Sequence, residues 1–149
     1  MRAVVQRVTE ADVTVQGSRT GSIQKGLVVL LGVEDGDTKK DADYIADKVS
    51  GLRIFDDSEG VMNLSVSDIG GGILSISQFT LLADARKGKR PSYIKAARPE
   101  AAKELYDYFN SKIEEKGITV GKGIFQAEML VKIYNDGPVT ILLDSKKTF

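Results

Sequence analysis

Hydrophobic positions along this chain fall into two rhythms. Near the start, Ala3-Val4-Val5-Gln6-Arg7-Val8 and Ala11-Asp12-Val13-Thr14-Val15 are rich in β-branched residues, and the second alternates, so both predict strands. Gly17-Ser18 marks a turn. The short continuous apolar run Gly26 to Val33 predicts a central strand buried on both faces. Ala42, Ile45, Ala46, Val49 and Leu52 recur at helical spacing. They predict a helix opened by Thr38 as N-cap, with Asp41 as a weaker capping box. Arg53-Ile54-Phe55 reads as a short strand closed by the polar turn Asp56 to Gly60. After Gly70-Gly71-Gly72, the stretch Ile73 to Leu82 predicts another long strand. Ala102, Leu105, Tyr108, Phe109 and Ile113 form the stripe of a second helix, entered at Pro99 and left at Gly117. Glu128 to Tyr134 and Val139 to Leu143 predict two closing strands, separated by Asn135-Asp136-Gly137-Pro138.

Strands outnumber helices and come in runs. That argues a mixed α/β domain of α+β character with about two main helices, and one domain over residues 1–149. A chain this long buries roughly 68–70% of its unfolded surface, enough for a core of its own. The longest apolar run, Leu27 to Val33, is too short to span a bilayer. The first residues lack the apolar region of a signal peptide. No membrane partner and a cytoplasmic location are the expectation.

Composition narrows the chemistry. The chain has no cysteine and no histidine. Thiol nucleophiles, Ser-His-Asp catalysis and the usual imidazole or thiolate metal sites are therefore excluded. No metal or cofactor is called for. An enzyme built from this sequence must use hydroxyls, amides, carboxylates, Lys or Arg, backbone dipoles or its substrate. Formal charge balances at 21 basic and 21 acidic residues, but unevenly along the chain. Arg86, Lys87, Lys89, Arg90, Lys95 and Arg98 follow one another with no acid among them. A solvated loop explains such a run, and so do phosphate contacts, with Ser92 and Tyr93 as donors and Tyr93 able to stack on a base.

Two further segments could carry chemistry. Gly137-Pro138 lies between apolar runs where proline cannot join a sheet ladder. An ordinary hairpin turn accounts for it, since Asn and Asp before Gly form turns. A cis peptide is the sharper alternative, although only ~5–6% of X-Pro bonds are cis. It would make a rigid backbone wall that glycine lets a ligand approach closely. In Ser77-Gln78-Phe79-Thr80-Leu81, strand alternation would point Gln78 and Thr80 one way and Ser77, Phe79 and Leu81 the other. That pattern also suits a half-buried strand with no function.

Taken together, Ser77-Gln78-Phe79-Thr80-Leu81 and Asn135-Asp136-Gly137-Pro138-Val139-Thr140 resemble the paired signature of D-aminoacyl-tRNA deacylases. Val5-Gln6-Arg7-Val8, Leu30-Leu31-Gly32-Val33, Arg53-Ile54-Phe55, Met62-Asn63-Leu64 and Arg90-Pro91-Ser92 extend the likeness over nearly the whole chain. One departure stands out: Gly123-Ile124-Phe125 is followed by Gln126, where the family pattern has Gly or Ala. A larger side chain there would reshape the pocket edge near Met129.

The resemblance implies a curled, barrel-like mixed sheet flanked by the two helices, in a homodimer with active sites at the interface. It implies a substrate, an amino acid esterified to the terminal adenosine of tRNA. It implies a cis Gly137-Pro138 that reaches into the partner's site as a chirality filter, with Asn135, Phe125 and Met129 around it. Ser77, Gln78, Phe79 and Thr80 would be the catalytic strip, and Arg86, Lys87, Lys89 and Arg90 would meet the tRNA. An aminoacyl ester is reactive enough for a modest site. Backbone N–H groups near Phe79 and Thr80 can hold the oxyanion, and a ribose hydroxyl of the tRNA can orient water. Thr80 as nucleophile is the alternative, and it lacks an adjacent base. Glycine attached to tRNA(Ala) should pass the same filter. The rivals are a deacylase for small L-amino acids with a trans Gly-Pro, an RNA-binding module without turnover, and a structural dimerising domain.

Overall fold

The apolar strands do not stack as separate hairpins. In the computed structural model, which describes residues 1–149, they merge into one curled sheet. β1 (Arg2–Val15) is a single long strand where the sequence predicts two. Its first half pairs antiparallel with β3 (Gly26–Gly32), and its second half with β2 (Ser18–Ile23). Both halves pair on the other side with β8 (Leu130–Asp144). β3 continues parallel to β6 (Gly72–Ser77), and β6 to β7 (Val120–Lys122). The sheet order is β2-β1-β3-β6-β7, with β8 attached to β1.

Pairing both halves of β1 forces it to coil, and the sheet comes nearly closed. The Thr20 hydroxyl on β2 donates to the Lys122 carbonyl on β7 at 3.3 Å. Inside the curl, Val8, Val13, Val28, Leu74 and Ile76 form one small core. The larger core lies between the sheet and two helices, α1 (Lys39–Gly51) and α2 (Pro99–Glu115). The predicted residues Ala42, Ile45, Ala46 and Val49 of α1 are buried. Asp41 caps α1 by accepting the Thr38 N–H at 2.8 Å. On α2 the stripe includes Tyr106, which the sequence pattern passed over, while Tyr108 lies partly exposed with its hydroxyl on Asp43.

Three expectations need correction. Ile73 to Leu82 is not one strand. β6 ends at Ser77, and Phe79–Leu82 turns into a short 3-10 helix. Glycine at 32 makes that turn possible: a Cβ there would lie 2.6 Å from Leu82 and 2.9 Å from the Gln78 carbonyl. Nor is Asn135-Asp136-Gly137-Pro138 a hairpin turn. β8 runs through it without reversing, and the segment is an outward bulge in one strand. The short strand at Arg53-Ile54-Phe55 shrinks to β4 (Phe55–Asp56), paired with β5 (Met62–Leu64).

The loop between β3 and α1 is anchored by charge. The fully buried α-ammonium of Met1 meets the equally buried Asp37 carboxylate at 2.7 Å, and Asp37 also accepts the Glu34 N–H at 2.6 Å. That loop in turn holds the 93–98 segment, through Asp35 N–H to the Lys95 carbonyl at 2.8 Å and Ala97 N–H to the Val33 carbonyl at 2.9 Å. Asp37→Asn removes the paired charge and leaves the buried ammonium with the Ser145 hydroxyl at 2.8 Å as its remaining bond, which costs about 3 kcal/mol. Urea unfolding at neutral pH should show this loss; an unchanged midpoint would mean that the pair is not carrying the loop.

Candidate active site

A cavity of about 620 Å³ opens where β6 gives way to its turn. Ser77, Gln78 and Phe79 form one wall, Tyr93, Ala96 and Ala97 a second, and Ala102 and Tyr106 of α2 the floor. Phe125, Gln126 and Met129, from the segment joining β7 to β8, close the remaining side. The lining is mainly apolar. Its rings are held by one another: Phe79 meets Tyr93 edge-on at 5.2 Å, and Tyr106 lies 6.1 Å from Phe125. The buried Tyr106 hydroxyl donates to the Ser75 carbonyl at 2.8 Å. Burial pushes its phenol above the ordinary value.

The turn after β6 reorients the predicted catalytic strip. Gln78 N–H is tied to the Leu31 carbonyl at 2.7 Å, which fixes the start of the turn on β3. Phe79 and Thr80 then occupy the leading positions of the 3-10 helix, whose first N–H groups have no intrahelical acceptor. The Gln78 side-chain amide donates to the Thr80 hydroxyl at 2.5 Å. Gln78 and Thr80 meet through this turn and not by strand alternation, which would have put Ser77 and Phe79 on the face opposite Gln78, whereas all three line the cavity. An amide is no base, and no carboxylate or amine bonds to the Thr80 hydroxyl. No group of three or more acidic side chains converges so as to hold a metal ion.

Gly137-Pro138 does not line this cavity. The two residues stand on the β8 bulge, exposed, and their peptide is cis. Between the pairs Gln6–Thr140 and Val8–Asn135, β8 carries Asp136 to Val139 opposite Arg7 alone. The ladder bonds lost there are replaced by side chains. Asn135 Nδ2 donates to the carbonyls of Arg7 at 2.9 Å and Val139 at 3.0 Å. Its Oδ1 accepts from Gln6 at 3.1 Å and from Thr140 at 3.2 Å. Arg7 buttresses the loop from below, with Nε 3.2 Å from Asp136 and Nη1 donating to the Ile54 carbonyl at 2.8 Å. Gly137 itself has φ +116°, and a Cβ there would come within 2.8 Å of Val139.

The structure therefore sorts the predicted residues into three places. Ser77, Gln78, Phe79, Phe125 and Met129 share the cavity, with Thr80 beside it. Asn135, Gly137 and Pro138 form the separate bulge. Arg86, Lys87, Lys89 and Arg90 lie on an exposed loop pinned at its base by backbone bonds between Asp84 and Ser92. Arg86 is already claimed: its guanidinium grips Asp84 at 2.6 Å and holds that carboxyl well below the usual carboxylate range. Lys87, Lys89 and Arg90 make no ion pair. Sequence reasoning gave no role to Arg7, Gln6 or Tyr106. The signal for the first two was a polar pair interrupting an apolar strand.

Known proteins place these features in a class. A solved structure described as a probable eukaryotic D-amino acid tRNA deacylase shares the fold, with a TM-score of 0.80 over 96% of this chain and 98% of its own at 16% identity. The c-Myc DNA unwinding element binding protein superposes with a TM-score of 0.91 at 40% identity, covering 97% of this chain and 98% of that one. The D-Tyr-tRNA(Tyr) deacylase family model matches residues 4–144. The D-aminoacyl-tRNA deacylase of Koribacter versatilis (strain Ellin345) is 60% identical, and that of Clostridioides difficile (strain 630) 57%, each over the full length of both chains. The chain belongs to the D-aminoacyl-tRNA deacylase family, and it is an enzyme of the hydrolase class.

The Asn135 network is directly testable. Asn135→Ala should lower the free energy of unfolding by about 2–3 kcal/mol, because it strands several part-buried partners at once. Chemical denaturation measures this. A variant as stable as the parent would mean that the bulge holds its shape without Asn135.

Proposed function

We propose that residues 1–149 act as one unit that hydrolyses the ester of D-aminoacyl-tRNA, releasing free tRNA and the D-amino acid. The observation that carries this reading is the cavity at the end of β6. Its apolar, ring-lined walls suit the flat base of a terminal adenosine, and the leading N–H groups at Phe79 and Thr80 stand at its edge. Those N–H groups stabilise the oxyanion that develops when water attacks the ester carbonyl. Gln78 holds the Thr80 hydroxyl in place. With no histidine in the chain, the neighbouring ribose hydroxyl orients the water. Thr80 positions rather than attacks, because an unactivated hydroxyl is a weak nucleophile.

Selection by chirality falls to Gly137-Pro138 in a homodimer. The bulge lies away from the cavity of its own chain, so it serves the partner's cavity. β8 pairs only with β1, which leaves its other edge open to a second copy, and Leu130, Tyr134 and Leu142 are exposed along it. Main-chain carbonyls around Gly137 hold the α-amino group and leave no room for an L side chain. A D side chain points outward, and glycine, as on tRNA(Ala), also passes. Asn135 and Arg7 shape this wall, and Phe125 and Met129 bound the cavity that faces it. Lys87, Lys89 and Arg90, with Arg86 at the loop base, contact the tRNA phosphates. The site of action is the cytoplasm, where charged tRNA is found. No helix of the chain is long and apolar enough to cross a membrane.

Deacylation of D- and L-tyrosyl-tRNA in parallel tests the reading. D-tyrosyl-tRNA should be cleaved at least 100-fold faster, a discrimination worth roughly 2.7 kcal/mol. Comparable rates would overturn the filter. Thr80→Ala should keep most of the activity; its abolition, with binding intact, would make Thr80 the nucleophile.

A further inference from the structure

Gln126 sits where the backbone favours glycine. Its φ is +64°, in the left-handed region that side chains with a Cβ avoid. Left-handed geometry costs an L-residue free energy that glycine would spare. A turn accounts for the backbone: Ala127 N–H donates to the Ile124 carbonyl at 3.1 Å, which puts Gln126 at the turn position where positive φ is required. The side chain is a separate matter, since it is exposed and makes no hydrogen bond within the chain.

The cavity gives that side chain a use. Two amide side chains line it, Gln78 and Gln126. Gln78 is committed to the Thr80 hydroxyl at 2.5 Å. Gln126 is the free one, and it follows directly on Phe125, whose ring packs near Tyr106 across the floor. A base lying among those rings has its faces covered by apolar atoms. Its polar edge then needs a partner at the lip. The surrounding Ala96, Ala97, Ala127 and Met129 side chains offer none, and the Ser77 and Tyr93 hydroxyls in the same lining present one oxygen each rather than the adjacent carbonyl and amine of an amide. A primary amide matches the edge of an adenine, where an exocyclic amine stands next to a ring nitrogen acceptor. The amide carbonyl accepts from the amine while its N–H donates to the ring nitrogen.

We propose that Gln126 is a specificity-determining residue that reads the polar edge of the purine held in the cavity. This rests on the proposed substrate, whose tRNA end is an adenosine.

Binding of free nucleosides separates this inference from the catalytic reading. Adenosine and purine riboside, which lacks the exocyclic amine, are titrated calorimetrically into the wild type and Gln126→Ala. Wild type should prefer adenosine by about 5- to 30-fold, and the variant should bind both alike. A preference that survives in the variant, or no adenosine binding to the wild type at millimolar concentration, overturns the proposal. With D-aminoacyl-tRNA, Gln126→Ala should raise KM by a similar factor and leave kcat unchanged, the pattern of lost uniform binding. A fall in kcat at constant KM would also overturn it. Gln126→Gly should melt at or above the wild-type temperature while losing the same preference; a lower Tm would show that Gln126 is structural. If D-aminoacyl-tRNA is not cleaved at all while the nucleoside preference depends on Gln126, the substrate reading falls and this one stands.

Discussion

The pairing of β1 with β8 governs the geometry of this molecule. A long antiparallel ladder coils when both of its edges are satisfied, and β1 is paired on both sides along most of its length. That coiling brings β2 against β7 and encloses the smaller core. It also forces any surplus length in β8 out of the sheet. Four residues of β8 stand opposite Arg7 alone, so Asp136-Gly137-Pro138 is lifted clear of the ladder. Asn135, Gln6, Thr140 and Arg7 replace the missing main-chain bonds and keep the lifted segment in one shape.

The cavity obeys a different constraint. β6 is parallel to its neighbours and must end before the chain can turn toward the basic loop. Gly32 leaves space on β3 for that turn, and the Leu31 carbonyl fixes where it begins. A strand end followed at once by a tight helical turn aims backbone N–H groups outward. In a chain with no histidine and no cysteine, oriented backbone groups are among the few tools left for ester chemistry. The opposite wall depends on a distant charge. The Met1–Asp37 pair holds the loop that holds Ala96 and Ala97, so packing at the first residue reaches the pocket through two loops.

Much of this was legible in advance. Helical spacing located both helices, and Thr38, Asp41, Pro99 and Gly117 marked their ends, because caps and periodicity are local properties. The buried run at Gly26 to Gly32 was equally plain. Local signals failed at the two candidate segments. Gln78 to Leu82 has the composition of a strand, yet it turns, because a neighbouring glycine on another strand makes room. Asn-Asp-Gly-Pro has the composition of a hairpin turn. It became a bulge because β1 holds the flanking residues on both sides in one continuous strand.

The sequence by itself determined the element types, the apolar cores, the exclusion of imidazole and thiol chemistry, and the family signature carried by residues 77–81 and 135–140. Only the tertiary structure decided which of those residues meet. It put Phe125, Gln126 and Met129 with Ser77, Gln78 and Phe79, set Gly137-Pro138 apart on its own bulge, and made Asn135 the clasp of that bulge. The reason is physical. Spacing along the chain specifies torsion preferences and faces, whereas convergence depends on register between strands far apart in sequence, and register is settled by the packing of the whole sheet.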